Sequence, residues 1–123
     1  MRNTPLFRVA VALLLCGAMW ATYAHGQRLG QEAAKQELVK IKDDLYVIHN
    51  DFVPGNTTAL ITDEGVVLVD DKFAVDHDAI MAALKKVTSK PVRYVINTHH
   101  HADHSGGNVK MQQMNVQVVS SVR

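Results

Sequence analysis

The stretch of residues 97–108 constrains this chain more than any other part of its sequence. Three imidazoles and one carboxylate there follow the spacing His-x-His-x-Asp-His, and they are His99, His101, Asp103 and His104. In an extended loop, residues two apart project to the same side, so His99 and His101 can converge on one ion. The intervening His100 then points away. The spacing therefore predicts a metal site.

The flanks of this cluster predict where it lies in a fold. Residues 91–97 contain the β-branched and aromatic mixture of a buried strand. Residues 106–114 are predicted to form a short helix, whose glycines let the backbone turn tightly at its start. The cluster is thus expected on a strand-to-helix loop at the carboxyl end of a sheet strand, where open α/β sheets place their ligands.

The second half of the motif suits a second ion. Asp103 and His104 are adjacent, and a hard carboxylate beside an imidazole can hold a divalent ion a few Å from the first one. Neutral imidazoles and carboxylates favour zinc, while ligand type alone leaves iron and manganese open as competitors. By contrast, His25, His49 and His77 stand outside any such spacing and are predicted to be exposed or packed residues.

Together with Gly106-Gly107, the motif resembles the signature of the metallo-β-lactamase superfamily. The resemblance extends over roughly residues 38–120. Residues 56–70 resemble the family's opening strands, which end in an Asp that supports the metal loop through hydrogen bonds without binding the ion. Asp70 matches that Asp. One departure follows it, because the family usually continues with Thr-Gly or a similar small turn where this chain has Asp71-Lys72-Phe73.

The resemblance implies an α/β (α+β) fold, namely the N-terminal half of a four-layer αβ/βα sandwich that holds metals between its halves. It implies zinc-hydroxide attack on an ester, thioester or amide carbonyl of a small molecule, a β-lactam among them. His99 and His101 would hold the first Zn²⁺. Asp103 and His104 would hold the second, and Asp103 would also act in catalysis by orienting the nucleophile.

Family members take further His and Asp ligands for both ions from the other half, and no His follows His104 here. The chain is therefore expected to be truncated and inactive by itself. Two alternatives stay open. One is a non-catalytic half-domain with an incomplete metal site. The other is an iron-dependent oxidoreductase of the same fold, since the same ligands accept iron.

The N-terminus predicts export. A short basic region, an apolar run over residues 9–20 and small residues after it describe a secretory signal peptide over residues 1–26, cut before Gln27. The protein would then be periplasmic or secreted. Leu15-Cys16-Gly17 is similar to a lipoprotein site, but the bulky Leu and the short apolar run disfavour lipid anchoring at Cys16. The run is shorter than the ~20 residues that span a bilayer, so no stable membrane span is expected.

Charge argues against a nucleic-acid partner. The leader holds two arginines and no acidic residue, so 11 of the 13 basic side chains and all 12 acidic ones remain after cleavage. No basic patch with interleaved aromatic residues occurs in what remains. Cleavage also removes Cys16, the only cysteine, so no disulfide can form.

After a polar lead-in over residues 27–37, the periodicity predicts one truncated domain over residues 38–123. Four antiparallel strands should come first, then a helix, a strand, the metal loop, a short helix and a last strand. The predicted elements are strands 38–42, 45–49, 56–62 and 66–70, helix 75–88, strand 92–97, a helix near 107–114 and strand 116–119. An uncovered apolar face around residues 66–69 and 92–96 predicts self-association.

Overall fold

A computed structural model describes residues 33–51 and 55–121. The predicted signal peptide, most of the lead-in, residues 52–54 and the last two residues lie outside the described residues. Residues 33–36 of the lead-in belong to neither a helix nor a strand. In the part of the chain that is described, no helix has both the length and the apolar character needed to cross a membrane.

Six strands form one sheet in chain order. They are β1 (Glu37–Lys40), β2 (Leu45–His49), β3 (Thr57–Ile61), β4 (Val66–Val69), β5 (Val92–Ile96) and β6 (Gln117–Val119). Strands β1 to β4 pair antiparallel, as the short turns between them require. Strand β5 then pairs parallel to β4, and β6 pairs parallel to β5. The predicted run of four antiparallel strands is thus present.

Helical segments supply the crossover connections of the two parallel pairs. They are α1 (His77–Leu84), entered through a 3-10 turn at Ala74–Asp76, then α2 (Ala102–Ser105) and α3 (Asn108–Gln113). The prediction of a helix over residues 75–88 was too long at its end. Turns follow Leu84, and the β-branched Thr88 and the approach to Pro91 both disfavour further helix.

The hydrophobic core lies between the sheet and helices α1 and α3. Strand residues alternate between faces, so every second residue of β2 to β4 points into it. In β5 the inward residues are Val92 and Val95, three apart, because the pairing with β4 shifts register between Val66 and Val67. Its fully buried members include Ile48, Leu68, Ile80, Val95 and Met111. Each such side chain contributes roughly 1.5–3 kcal/mol relative to an exposed position. This core fixes the sheet on which the site is built.

The opposite side of the sheet, the open face, is apolar as well. Its central row in register across the six strands is Val39, Val47, Thr58, Val69, Ile96 and Val119. Ile96 and its neighbour Tyr94 each retain 41% exposure. The predicted uncovered surface was therefore right for alternate residues only, because Val66, Leu68 and Val95 belong to the buried core.

Candidate metal centre

The site forms where β4 and β5 end. Because these strands are parallel neighbours, their carboxyl ends meet at the same edge of the sheet. Asp70 directly follows β4, and its N–H donates to the carbonyl oxygen of Ile96 at 3.0 Å. The loop that starts at Asn97 therefore begins beside Asp70, although the two lie far apart in sequence.

The His-rich stretch is a loop only as far as His101. The N–H groups of Ser105 and Gly106 donate to the carbonyl oxygens of His101 and Ala102, which closes the one-turn helix α2. The prediction placed these residues in a loop and began the helix near residue 107, so α2 corrects it. Asp103 and His104 consequently lie on a helical turn.

Four donors face one another in two pairs. His99 Nε2 lies 3.2 Å from His101 Nδ1, and His104 Nε2 lies 3.3 Å from an Asp103 carboxylate oxygen. The rings of His99 and His104 are 4.0 Å apart between centroids, so the two pairs are adjacent. The ring of His100 is farther from His99, at 6.4 Å. The structure thus brings together the four predicted ligands, and the His100 ring contacts the ring of His101, at 4.8 Å between centroids.

These spacings fit metal binding. Two nitrogens that each lie about 2.05 Å from a tetrahedral zinc ion are separated by about 3.3 Å. Both donor pairs match that separation. Within residues 33–51 and 55–121, however, no three His, Cys, Asp or Glu side chains converge on one point. A catalytic zinc takes three protein ligands, so each pair needs at least one more donor from elsewhere.

Asp70 is linked to both donor pairs, directly to His104 and through Thr98 to His99. Its side chain is 5% exposed, and one carboxylate oxygen accepts the Thr98 N–H at 2.8 Å. The other oxygen lies 2.8 Å from the Thr98 hydroxyl and 2.7 Å from His104 Nδ1. The supporting hydrogen bonds expected of Asp70 therefore reach Thr98 and His104. The sequence analysis did not single out Thr98, whose role depends on this contact.

The residues that depart from the family pattern hold α2 in place. The N–H of Asp71 donates to the His104 carbonyl oxygen at 2.9 Å. The Gly107 N–H is shared between an Asp71 carboxylate oxygen and the Lys72 carbonyl oxygen, both at 3.0 Å. Asp70 and Lys72 adopt the left-handed conformation, with φ of 61° and 58°. This turn costs of order 1 kcal/mol or more per residue, so the surrounding contacts must stabilise it.

Two charged side chains of this turn are fully buried. Burial raises the pKa of Asp71 to about 6, an effect that the Gly107 N–H partly opposes and the nearby Asp70 carboxylate increases. The ammonium group of Lys72 donates a hydrogen bond to the Gly55 carbonyl oxygen. Burial lowers the Lys72 pKa, while the carboxylates of Asp76 and Asp103 act in the opposite direction. Two buried ionisable side chains, Asp71 and Lys72, therefore lie beside the His-rich loop.

The β2–β3 connection lies against α2 at Gly55. A Cβ atom at this position would come within 2.6 Å of the Asp103 carbonyl oxygen, and Gly55 has a φ of +90°. Only glycine fits there without strain. The backbone of a predicted ligand is therefore in contact with a segment nearly fifty residues earlier in the chain.

Two of the histidines predicted to be exposed or packed, His49 and His77, lie in the described part of the chain. His77 is buried at the start of α1, and burial lowers its pKa, as does the nearby Lys110. His49 ends β2 at 4.0 Å from the Glu37 carboxylate. His25 lies outside the described residues.

A cavity of about 430 Å³ opens beside the His-rich loop. Its lining offers amide, hydroxyl and imidazole groups and consists of Asn97, Thr98, His99, His100, Ser105, Asn108, Ser120 and Ser121. His99, one donor of the first pair, therefore borders a space large enough for part of a small molecule.

Residues 50–113, more than half of the chain, match the family model described as the metallo-beta-lactamase superfamily. The chain belongs to this superfamily. The predicted family is thereby confirmed, and with it the predicted α/β fold class. The metallo-beta-lactamase superfamily is a family of metal-dependent hydrolases, typically with zinc.

Relatives and solved structures agree with this assignment. The chain is 37% identical over 68 residues to a cytoplasmic hydroxyacylglutathione hydrolase from Arabidopsis thaliana, covering 55% of this chain and 26% of that protein. It resembles the mono-zinc form of the metallo-beta-lactamase FIM-1 from Pseudomonas aeruginosa with a TM-score of 0.64 and 20% identity, over 74% of this chain and 44% of that one.

A metallo-beta-lactamase from Pontibacter korlensis is similar with a TM-score of 0.62 and 27% identity, over 70% of this chain and 43% of that one. The chain thus spans about a quarter of the length of the curated relative and less than half of these solved structures.

Proposed function

We propose that this chain supplies half of the active site of a zinc-dependent hydrolase that cleaves an ester, thioester or amide bond, a β-lactam amide among them. The observation that carries the proposal is the pair of facing donor sets, His99 with His101 and His104 with Asp103, at 3.2 and 3.3 Å.

Each donor has a distinct role in this proposal. His99, through Nε2, and His101, through Nδ1, would hold the first ion, and His104 Nε2 with the Asp103 carboxylate would hold the second. Zinc, when bound, supplies an acidified water as nucleophile and polarises the carbonyl of the substrate. Asp103 would accept a hydrogen bond from the attacking water and so orient it toward the bond to be cleaved.

The surroundings support a small-molecule substrate. The cavity beside His99 and His100 offers hydroxyl and amide groups from Ser105 and Asn108, which can bind polar substituents next to the reacting bond. The similar proteins, a hydroxyacylglutathione hydrolase and two metallo-beta-lactamases, support hydrolysis. The signal-peptide pattern supports action after export.

The missing donors belong to a second half in this proposal. The described residues offer two facing donors per position where catalytic zinc takes three protein ligands. Residues 27–123 by themselves are therefore expected to bind zinc weakly and to turn over nothing, which is also the non-catalytic alternative for this chain.

The test compares this chain with a version extended by its downstream sequence. Elemental analysis and a panel of a chromogenic cephalosporin, a thioester and an aryl ester would be applied to both. We expect two tightly held zinc ions and hydrolysis of at least one substrate from the extended version, and only weak zinc binding without hydrolysis from residues 27–123. An extended protein that loads iron and consumes oxygen would contradict the proposal. So would nanomolar zinc affinity or cephalosporin turnover by residues 27–123.

A further inference from the structure

The hydroxyl of Thr98 lies between two groups that matter to the site. It is 2.8 Å from a carboxylate oxygen of Asp70 and 3.0 Å from Nδ1 of His99. The backbone N–H of Thr98 donates to the other Asp70 oxygen at 2.8 Å. Thr98 is thus held to Asp70 at two points.

The directions of these hydrogen bonds follow from what each group can donate. An ionised carboxylate only accepts, so the Thr98 hydroxyl must direct its single proton to Asp70. Its oxygen then presents a lone pair to His99 Nδ1. That nitrogen must carry a proton for the 3.0 Å contact to be favourable, and a neutral imidazole has one N–H. His99 Nε2 is therefore the unprotonated nitrogen, and its lone pair faces His101 Nδ1.

The same carboxylate acts directly on His104. The Asp70 oxygen that accepts the Thr98 hydroxyl also lies 2.7 Å from His104 Nδ1, which must donate to it. In a neutral ring, His104 Nε2 then carries a lone pair that faces the Asp103 carboxylate, and two acceptors in contact are unfavourable unless a cation lies between them. One buried carboxylate thus contacts one histidine of each donor pair, directly in the case of His104 and through the Thr98 hydroxyl in the case of His99.

We infer that Thr98 is a positioning residue whose hydroxyl relays the hydrogen bonding of Asp70 to His99 and thereby keeps His99 in the Nδ1–H tautomer. Free histidine in water favours the opposite tautomer, so the relay changes which nitrogen can bind a metal. That His99 binds zinc rests on the proposed function. The tautomer itself is a property of the metal-free protein.

The geometry around His99 shows what the relay achieves. With Nδ1 protonated, Nε2 presents its lone pair toward His101, where the first ion is proposed to bind. Without the hydroxyl, the proton of His99 could move to Nε2 and block that position. Partners of metal ligands that act in this way typically change metal affinity by about 10–100-fold. We expect about a tenfold loss for Thr98→Val.

The test reads the tautomer by NMR. The chain is ¹⁵N-labelled, kept metal-free and held at about pH 8, where an ordinary imidazole is neutral. Long-range ¹H–¹⁵N correlations should show His99 as the Nδ1–H tautomer. Thr98→Val should shift it toward Nε2–H, and Thr98→Ser, which keeps the hydroxyl, should restore the native pattern. Thr88→Val, in the turn before β5, is the matched control.

A purely structural threonine would give a different result. It would lower stability in Thr98→Val without moving the His99 tautomer, and Thr98→Ser would rescue nothing specific to His99. An Nε2–H tautomer of His99 in the native chain, or an unchanged tautomer in Thr98→Val, would overturn the inference. If Thr98→Val fails to fold, the native chain and Thr98→Ser still decide, because both must show the Nδ1–H form.

Zinc titration by calorimetry separates this inference from the proposed function. Weak zinc binding by the native chain that falls about tenfold in Thr98→Val and recovers in Thr98→Ser supports both. A native chain with the Nδ1–H tautomer that binds no zinc at millimolar concentration contradicts the proposed function alone. Zinc binding by a chain whose His99 is Nε2–H when metal-free contradicts the relay alone.

Discussion

Replacing Asp71 by Asn should make the fold more stable at neutral pH but not at acid pH. Burial raises the pKa of this carboxyl from 3.8 to about 6 in the folded protein. A neutral side chain is therefore favoured in the fold. The stability that the neutral form provides is fully present below about pH 3.8 and is lost as the pH rises through about 6.

The size of this effect follows from the pKa shift. The difference between 3.8 and about 6 corresponds to about 3 kcal/mol of free energy of unfolding, at 1.36 kcal/mol per pKa unit. Asn keeps the side-chain oxygen that accepts the Gly107 N–H, and it cannot ionise. The stability of Asp71→Asn relative to the native chain should thus rise by about 2 kcal/mol between pH 4 and about pH 8, because part of the full effect is already present at pH 4.

Urea unfolding followed by far-UV circular dichroism, at low protein concentration and at several pH values, measures this difference. The informative quantity is how the difference in free energy of unfolding between the two proteins changes with pH, because all other titrating groups are shared. Asp44→Asn, in the exposed β1–β2 turn, removes the same charge from a solvated site and serves as the control. Parallel stability curves for Asp71→Asn and the native chain from pH 4 to pH 8 would refute this account of the buried carboxyl.

Three further predictions concern the site and the sheet. In a version with its downstream sequence, His101→Ala should abolish metal binding and activity, whereas His100→Ala should keep both. Asp103→Asn should lose the second ion and most turnover. Elemental analysis and kinetics measure these effects, and loss of metal in His100→Ala but not in His101→Ala would refute the assigned ligands. Gly55→Ala should cost about 1–3 kcal/mol, since its Cβ would lie 2.6 Å from the Asp103 carbonyl oxygen; a melting temperature equal to the native one would contradict this. Ile96→Glu on the open face should reduce the self-association of residues 27–123, measured by light scattering. A native chain that is already monomeric would contradict the prediction that this face self-associates.

The strands and the ligand spacing could be predicted from the sequence because both depend on residues that are close together in the chain. Residues 45–49 and 66–69 are rich in β-branched and other apolar side chains, and the structure has strands at both, with every second side chain in the core. The two-residue spacing of His99 and His101 likewise needs only an extended backbone to bring their rings together. These features require no knowledge of distant contacts.

What the sequence could not reveal depends on contacts between distant residues. Thr98 becomes informative only because Asp70, 28 positions earlier, lies beside it. The left-handed turn at Asp70 and Lys72 is unfavourable by local preference and is held by bonds to His104 and Gly107. The four residues of α2 are too few for a periodic signal, so their helix was missed.

The contacts between the β4 turn and the His-rich loop also bear on how the protein opens and closes. Asp70 and Asp71 reach partners 28 to 36 positions away, and they can do so only while β5 is docked against β4. The donors are contiguous in the chain, yet their arrangement belongs to the same cooperative unit as this parallel strand pair. The amide protons of Thr98 and Asp71, which these contacts protect, should exchange with solvent when β4 and β5 separate. Any ligand that binds the assembled donors should therefore stabilise the pairing of β4 with β5, because it binds only while the two strands are paired.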